Sequence, residues 1–515
     1  MSNLVTDIEE TVGEHPDATA LGYDGHEFTY EQFWGQTGQF AQALADAGVE
    51  PGDRVGLYLP NVPQYVTSFV GTLRAGGIVV PMNPQYRSRE ISHLLSDSGA
   101  KAVITLADLV PEVKKVQDDT EVETVVSVGG PAEGATEFDE FLADEMLPVQ
   151  DRADDDVAVQ PYTSGTTGQP KGVLLTHHNL AFDARASAKI HDGIDVSDKF
   201  LGVLPLFHIY GMTITMISTL FEGGSYWPMP EWDAEAALEL IEGQGITHVH
   251  GVPAMFNDVV NTPGAEDYDL SSVEFANSGG DSLPIEVMEQ FESMYDVELF
   301  EGYGLTETSP VTHANRPDDR RPGSIGKTLP GIESMIVDHD FNELPPVEEG
   351  PVDDETELDD VVGELVINGP NVMQGYYELP EANEEAFTEI DGRRWFHTGD
   401  LGYQDEDGFF YVVDREKHMI VTGGYNVYPR EVEELLFEHP DVADAAIVGI
   451  PDERRNETVK AFIVLKPDAE VTEDEIQQYC LDNLAPYKHP REVEFVDELP
   501  RTSTGKVQKF ELRGE

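Results

Sequence analysis

The amino-acid sequence predicts an α/β protein built on parallel sheets that are covered by helices on both faces. Up to about Gly331, short apolar runs alternate with segments of helical periodicity. This alternation is typical of parallel strands joined by crossover helices. Beyond Gly331 the runs become closely spaced and strand-like, which favours a small β-barrel or β-subdomain. The last part of the chain mixes helices and strands and predicts a further α+β domain.

Local signals justify the first elements. A capping box at 29–32 predicts a helix to about residue 47. Strands are predicted at 55–59 and 78–81, with a helix at 62–73 between them. Further strands are predicted at 157–162, 246–250 and 297–300, with a helix from about His177.

One apolar segment, 201–221, contains no Asp, Glu, Lys or Arg. Pro205, His208 and Gly211 interrupt it, so a strand, a turn and a buried helix are expected there rather than a membrane span.

Two changes in composition mark the domain boundaries. Strand-like pieces at 334–337 and 363–367 flank a loop at 343–360 that is rich in Glu, Asp and Pro and is predicted to be solvated. A second break falls at 414–417. We therefore predict an N-terminal domain over 1–414 and a C-terminal domain over 415–515. The expected elements of the latter are a helix from Pro429, strands at 445–450 and 459–465, and a helix near 474–484.

The charge balance excludes several classes of partner. The chain has 515 residues, with 31 Lys and Arg against 100 Asp and Glu, and a net charge of −69. Such a field repels nucleic-acid phosphates and anionic lipid, so no nucleic-acid partner is expected. The acidic residues are spread along the chain, which suggests a surface adapted to concentrated salt. The single cysteine, Cys480, and a start without a basic and apolar leader favour a cytoplasmic protein.

The segment with the clearest chemistry is 162–172, YTSGTTGQPKG. It follows a predicted strand and combines glycines, hydroxyl side chains and a lysine, which is the composition of a phosphate-binding loop. It lacks the spacing of a Walker A loop. The residues expected to contact phosphate are Thr163, Ser164, Gly165, Thr166, Thr167, Gly168 and Lys171.

This loop resembles the phosphate-loop signature of the adenylate-forming superfamily, which includes acyl-CoA synthetases, firefly-type luciferases and peptide-synthetase adenylation domains. Further segments resemble the family's motifs in the expected order, and the resemblance covers nearly the whole chain. They are PLFHIYGM (205–212), YGLTET (303–308), TGD (398–400), DREK (414–417), GGYNV (423–427) and PRTSTGK (500–506).

The resemblance implies a role for each of these segments. It implies two parallel-sheet αβα subdomains and a small β-barrel in the N-terminal domain, with a mobile C-terminal domain. Lys506, His208 and Glu307 are the expected catalytic residues, and Mg²⁺ is expected at Glu307 and Thr163. Besides the phosphate loop, the expected nucleotide-binding residues are Gly302, Tyr303, Thr306, Asp400, Arg415 and Lys417. The expected acyl pocket comprises His208, Tyr210, Gly279, Gly280 and Asp281, and the expected CoA channel comprises Gly423, Gly424 and Tyr425.

Some features have simpler interpretations. Asp281 and Val421 depart from the pattern of many family members. Residues 279–283, GGDSL, match a phosphopantetheine carrier signature, but they lie between two adenylation motifs, so we interpret them as pocket wall. The histidines at 177–178 and 248–250 lack the spacing of strong metal sites and are interpreted as structural.

The resemblance therefore implies an ATP-dependent acyl-CoA synthetase. A fatty acid, ATP and CoA are the expected substrates, with acyl-AMP and pyrophosphate formed first. A medium- or long-chain acid is favoured, and a 4-coumarate-like aromatic acid ligase is the alternative, followed by a luciferase-like oxygenase. Acyl chain length is open at this stage, as is the choice between a monomer and a homodimer.

The charge generates the first prediction. We expect folding and activity to require salt near 1 M, because screening over about 3 Å then weakens the repulsion among the acidic side chains. Circular dichroism and activity should be followed together as salt is lowered. Full activity with a native spectrum at about 0.05 M salt would contradict the prediction.

Overall fold

A computed structural model describes residues 3–164, 170–191, 193–352, 361–415, 418–422, 425–452, 454–467, 469, 471–502 and 507–513. Its strands form four sheets.

The first sheet has nine strands and a parallel centre. Its strands follow one another in space in the order Lys327–Thr328, Val311–Ala314, Leu299–Gly304, Phe275–Ser278, His248–Gly251, Lys199–Gly202, Ser225–Pro228, Thr19–Tyr23 and His26–Thr29.

The second sheet also has nine strands, of which five neighbouring pairs in succession are parallel. The order is Gly375–Tyr376, Pro170–Thr176, Val157–Val159, Ile78–Pro81, Arg54–Tyr58, Ala102–Leu106, Thr124–Val128 and Thr136–Glu137, and Tyr162–Ser164 pairs with Pro170–Thr176.

Helices cover these sheets, and one of them, Pro63–Arg74, is buried on all sides from Tyr65 onward. The α-helices of the N-terminal part are Leu4–Glu14, Tyr30–Asp46, Pro63–Arg74, Ser88–Ser98, Val110–Val116, Phe138–Phe141, His177–Ala188, Ser218–Glu222, Ala234–Gln244, Pro253–Asn261, Ile285–Tyr295 and Pro380–Ala386. Short 3₁₀ turns lie at Ala107–Leu109, Gln117–Asp119, Lys189–His191, Ala265–Asp267 and Thr306–Thr308.

The third sheet is antiparallel and forms the small β-subdomain. Its strands are Glu333–Val337, Gly363–Asn368, Arg393–Gln404, Phe387–Ile390 and Phe410–Arg415.

The fourth sheet belongs to the C-terminal part and comprises Tyr425–Val427, Ile420–Thr422, Asn456–Leu465, Val442–Asp452 and Glu492–Phe495. Helices Pro429–Phe437, Glu473–Asn483 and Lys509–Arg513 accompany it. Cys480 is fully buried in the core of this part.

The predicted elements agree closely with the structure, which is the mixed α/β fold with parallel sheets that the sequence indicates. The capping box at Thr29 and Gln32 is present, and the helix runs from Tyr30 to Asp46. Strand Ile78–Pro81 and the start of the helix at His177 fall where they were expected. The main difference lies at 157–162, where a strand ends at Val159 and a new one, Tyr162–Ser164, turns back as a hairpin with Pro170–Thr176.

The uncharged segment folds as its sequence indicates. After strand Lys199–Gly202 comes a wide π-helical turn, Gly211–Ile217, which is fully buried. Gly211 is required there because a Cβ atom would lie 2.6 Å from the carbonyl oxygen of Leu204. Among the described residues, the structure holds no helix with the length and apolar character needed to cross a bilayer.

Candidate functional site

A cleft of about 220 Å³ lies between the N-terminal sheets and the C-terminal part. Six predicted site residues line it, namely Gly280, Asp281, Gly302, Tyr303, Asp400 and Arg415. The opposite wall carries Arg430, Glu433, Glu434, Arg501 and Lys509 from the C-terminal part. Residues separated by more than 200 positions in sequence therefore converge on one space, as the motif order leads us to expect.

Asp400 is the centre of the wall that the N-terminal part contributes to the cleft. It is buried at 2% exposure, and its Oδ1 accepts a hydrogen bond from Arg415 Nε at 2.8 Å. Tyr303 donates its hydroxyl to Oδ2. Asp400 and Arg415 are cross-strand partners, so the sheet itself sets their spacing. A carboxylate has about four lone-pair sites, so Asp400 retains acceptor capacity for further hydroxyl groups.

The electrostatics of this wall follow from burial and pairing. Asp400 raises the pKa of Arg415, so the guanidinium stays charged. Burial raises the pKa of Tyr303 well above its ordinary value, and the neighbouring carboxylate adds to this effect. The Tyr303 hydroxyl therefore stays protonated and acts as a donor, with its ring fixed at the edge of the cleft.

The phosphate-loop hairpin is linked to Glu307 through a tyrosine. Thr163 and Lys171 are cross-strand partners at the base of the hairpin. The Lys171 ammonium lies 5.0 Å from the centre of the Tyr376 ring, a cation–π contact. The Tyr376 hydroxyl donates to Glu307 Oε1 at 2.9 Å. The pieces expected to bind phosphate and metal therefore lie within one connected network.

Glu307 is a desolvated carboxyl group. Burial raises its pKa, while the Tyr376 hydroxyl and Arg415 oppose that rise. Its backbone carbonyl accepts from the N–H of Met373 at 2.8 Å. A carboxyl group held in this way gains from a nearby cation, because the cation favours the ionised form. The donor chemistry, a carboxylate beside hydroxyl groups, fits Mg²⁺.

The predicted acyl-pocket residues Tyr210 and Gly279 lie against each other. A Cβ atom at Gly279 would come within 3.1 Å of the Tyr210 ring, so glycine provides the space for it. The Tyr210 hydroxyl accepts from Asn277 Nδ2 at 2.8 Å and lies 3.4 Å from His250 Nδ1. Tyr210 is buried, so this polar group is held inside an otherwise apolar region.

The other predicted residues in the described part occupy separate places. His208 is half-buried and accepts the backbone N–H of Tyr210 at its Nδ1, at 3.3 Å. Thr306 begins the short 3₁₀ turn that carries Glu307. Asp281 is exposed at the rim of the cleft, where it influences Arg415, Arg430 and Lys509. His208, Tyr210, Gly279, Thr306 and Glu307 do not line the cleft themselves.

The C-terminal wall brings paired charges to the cleft. Arg430 donates to the Val412 carbonyl at 2.6 Å and to Glu434 at 2.8 Å. Lys509 pairs with Glu433 at 2.7 Å. Arg501 and Val507 form an isolated bridge and both line the cleft, on either side of the segment that carries Lys506.

Several predicted residues lie outside the described residues. They are Gly165, Thr166, Thr167, Gly168, Lys417, Gly423, Gly424 and Lys506. For Ser164 and Tyr425, only the backbone is described.

Sequence reasoning missed Tyr376 and Arg430. The Gly-Tyr pair at 375–376 carries no motif of its own, because the role of Tyr376 arises from packing. The scarcity of arginine in so acidic a chain is a sequence signal that could have pointed to Arg430.

The buried histidines His191, His248 and His250 have pKa values lowered by burial and stay neutral. Within the described ranges, no group of three or more potential ligands is arranged to hold a metal ion.

Comparison with known proteins agrees with this geometry. The AMP-binding enzyme model matches residues 8–377, and the model of the AMP-binding enzyme C-terminal domain matches residues 431–506. A long-chain-fatty-acid–CoA ligase of Bacillus subtilis (strain 168) is 36% identical over 545 residues, covering 99% of this chain and 93% of the relative.

Two solved structures are similar over nearly their whole length. An anthranilate CoA ligase in complex with anthranoyl-AMP has a TM-score of 0.91 and 29% identity, covering 100% of this chain and 97% of that one. ATP-bound MatB from Rhodopseudomonas palustris has a TM-score of 0.89 and 29% identity, covering 100% and 99%. The chain therefore belongs to the AMP-binding enzyme family and is an AMP-forming acid–CoA ligase that works through an acyl adenylate.

Proposed function

We propose that this ligase activates a medium- or long-chain fatty acid with ATP and transfers the acyl group to CoA. The proposed binding of ATP rests on the arrangement of Tyr303, Asp400 and Arg415 on the wall of the cleft. The choice of acid rests on the full-length similarity to the Bacillus subtilis long-chain-fatty-acid–CoA ligase.

In the adenylation step, the acid's carboxylate attacks the α-phosphorus of ATP and pyrophosphate leaves. Asp400 accepts the ribose hydroxyls, and the Tyr303 ring offers a face for adenine. Lys171 and the hydroxyl groups of the phosphate loop bind the terminal phosphates, and Arg415 faces the developing charge. Fixed donors and cations of this kind stabilise the transition state without reorganising during the reaction.

Glu307 and Thr163 are the residues that would hold Mg²⁺. The metal, when bound, neutralises phosphate charge during phosphoryl transfer. Tyr376 orients the Glu307 carboxyl through its hydroxyl. His208 would border the acid's carboxylate.

We further propose that residues 1–414 hold the substrates while residues 415–515 turn about 414–417 between the two steps. Lys506 would face the site for adenylation, and Gly423, Gly424 and Tyr425 would face it for the thiol step. The bridge of Arg501 with Val507 at the cleft supports this assignment for Lys506.

A specific observation favours a second candidate substrate class, an aromatic acid. The Tyr210 hydroxyl, bonded to Asn277, gives the pocket region a polar group that a plain alkyl chain does not need. A solved structure similar to this chain is named an anthranilate CoA ligase.

The first test is pyrophosphate exchange. In the absence of CoA, the protein should catalyse exchange of pyrophosphate into ATP that depends on added carboxylic acid, because the adenylate forms before the thiol is used. A series of straight-chain acids of increasing length should be compared with substituted benzoates. The exchange rate should be highest with the longer aliphatic acids. A highest rate with a benzoate would instead assign an aromatic acid as the substrate. Exchange that requires CoA, or release of ADP, would contradict the two-step mechanism.

The second test separates the two half-reactions. Lys506→Ala should slow acyl-AMP formation about 100-fold or more, corresponding to about 3 kcal/mol for one lost charge contact in the transition state. Conversion of supplied acyl-AMP to acyl-CoA should remain near the wild-type rate. Lys417→Pro should slow the conversion of acyl-AMP to acyl-CoA and leave acyl-AMP formation near the wild-type rate, because proline fixes φ at the hinge. Equal damage to both halves by Lys506→Ala in single-turnover assays would rule out the alternating domain.

The third test concerns the ionisation of Glu307. Tyr376→Phe removes the hydroxyl that opposes the rise in its pKa, so the pKa should rise further. Because the carboxylate form is lost as pH falls, the acidic limb of the adenylation pH–rate profile should move to higher pH. The Mg²⁺ concentration for half-maximal rate should also increase. Tyr377→Phe is the control, since it keeps the ring over which Arg54 lies and should leave the profile unchanged. An unchanged profile in Tyr376→Phe would refute the coupling.

A further inference from the structure

A second buried acid lies behind the Glu307 turn, and the site described above does not use it. Asp183, on helix His177–Ala188, is fully buried. Its Oδ2 accepts the backbone N–H of Val311 at 3.3 Å, while Oδ1 has no hydrogen-bond partner. Among the described residues, no cationic side chain forms an ion pair with it. A carboxylate in that position would be an uncompensated buried charge, which is very unfavourable.

The side chain of Asn371 lies within hydrogen-bonding reach of the Asp183 carboxyl and is also fully buried. Its Nδ2 donates to the carbonyl of Thr308 at 2.8 Å and to the carbonyl of Val311 at 3.1 Å. These two acceptors fix the orientation of the amide, because the flipped amide would point its oxygen at two carbonyl oxygens. Asn371 Oδ1 is then left without a donor.

The two buried oxygens without partners thus belong to side chains that both bind Val311. Asp183 accepts a hydrogen bond from the Val311 N–H, and Asn371 donates one to the Val311 carbonyl. A proton on Asp183 Oδ1 supplies the donor that Asn371 Oδ1 lacks, and one hydrogen bond satisfies both atoms. Burial raises the pKa of Asp183 well above its ordinary value and outweighs the opposing effect of the Val311 N–H, which agrees with a neutral side chain. A hydrogen bond from the Asn371 amide would also oppose this rise, but the N–H groups of that amide are directed to the carbonyls of Thr308 and Val311.

Residues 308–311, which these groups hold, directly follow Glu307 in the chain. Helix His177–Ala188 also binds a second segment, 370–373, through Asn179, whose Nδ2 donates to the carbonyls of Pro370 and Val372 at 2.7 and 3.0 Å. Met373 then donates its N–H to the Glu307 carbonyl. Between Thr308 and Val311 lies Ser309, with φ of +74°, a left-handed conformation that is unfavourable for serine and needs external support.

We propose that Asp183 is a positioning residue that carries a proton in the working enzyme, donates it in a hydrogen bond to Asn371, and thereby holds the turn that presents Glu307. No bond is made or broken at Asp183 during the reaction. The inference rests on the proposed function only for the role of Glu307.

The test compares substitutions that keep or remove the donor. Asp183→Asn retains the shape and an N–H donor, so its rate of pyrophosphate exchange should stay within about threefold of wild type. Asp183→Ala leaves Asn371 Oδ1 and the Val311 N–H unsatisfied, so the exchange rate should fall about tenfold or more. KM for the carboxylic acid should be unchanged in Asp183→Ala, whereas the Mg²⁺ concentration for half-maximal rate should rise. If Asp183→Asn is impaired as strongly as Asp183→Ala, the carboxylate is required and the proposal fails.

An infrared measurement tests the proton without any activity. The difference spectrum between the wild-type protein and Asp183→Asn at neutral pH should contain the carbonyl stretch of a protonated carboxylic acid, present only in the wild type. Absence of that band would overturn the proposal even if Asp183→Ala does not fold. If the wild type shows no exchange at all, the proposed function fails, and this spectrum still decides the state of Asp183.

A second buried aspartate serves as the matched control. Asp405 is 1% exposed, but it pairs with Arg321 and accepts from the Phe409 N–H and the Tyr411 hydroxyl. It is therefore a carboxylate, and Asp405→Asn should lower the thermal unfolding midpoint clearly without removing a protonated-acid band. Asp183→Asn should leave the midpoint close to wild type. Equal loss of stability in the two variants would show that Asp183 is also ionised and would refute the proposal.

Discussion

The ion pair between Asp400 and Arg415 joins three parts of the molecule at one point. The two residues face each other across the last two strands of the antiparallel sheet, and Tyr303 reaches Asp400 from the end of a strand of the first sheet. Arg415 also belongs to the segment 414–417 at the predicted domain boundary. Since a buried charge is tolerated only with its partner, the wall around Asp400 and the start of this segment are held in place together.

The second constraint is charge. A chain with a net charge of −69 nevertheless brings several cationic side chains to one cleft. Arg430, Arg501 and Lys509 are each paired with an acid of the C-terminal part. If this cleft takes up ATP and an acid, as proposed, the incoming phosphate or carboxylate has to compete with carboxylates that these cations already bind. The geometry of the cleft then decides which acidic partner each cation keeps.

Most ends of the predicted elements lie within one or two residues of the observed ends, because the capping and turn signals are local. Strands Val442–Asp452 and Asn456–Leu465 begin three residues earlier than predicted, and Leu299–Gly304 ends four residues later. The predicted strand at 157–162 is divided at Val159, since that division depends on pairing with the returning strand Pro170–Thr176. The motifs indicate which residues gather at the cleft, and the structure brings Tyr303, Asp400 and Arg415 together there. The sequence does not predict the parts of Tyr376, Asn371 and Asp183 in the structure, because these depend on contacts made only after folding. No spacing rule connects an aspartate in a helix to an asparagine 188 positions later.

The buried acids explain how a protein with so many carboxyl groups uses a few of them differently. Most of the acids are exposed and act through the surface field, but Asp183, Glu301 and Glu307 have pKa values raised by burial. For Glu301 the pKa rises from 4.5 to about 7. A raised pKa means that the folded state binds more protons than the unfolded state between those two values, so folding stability contributed by the group is lost as pH rises through this window. At neutral pH each such acid must be kept protonated, as proposed for Asp183, or be given a cation. Glu301 faces Arg430 across the cleft, and Glu307 is the residue proposed to hold Mg²⁺. For these two acids, the ionised form therefore depends on a cation that the site provides or binds.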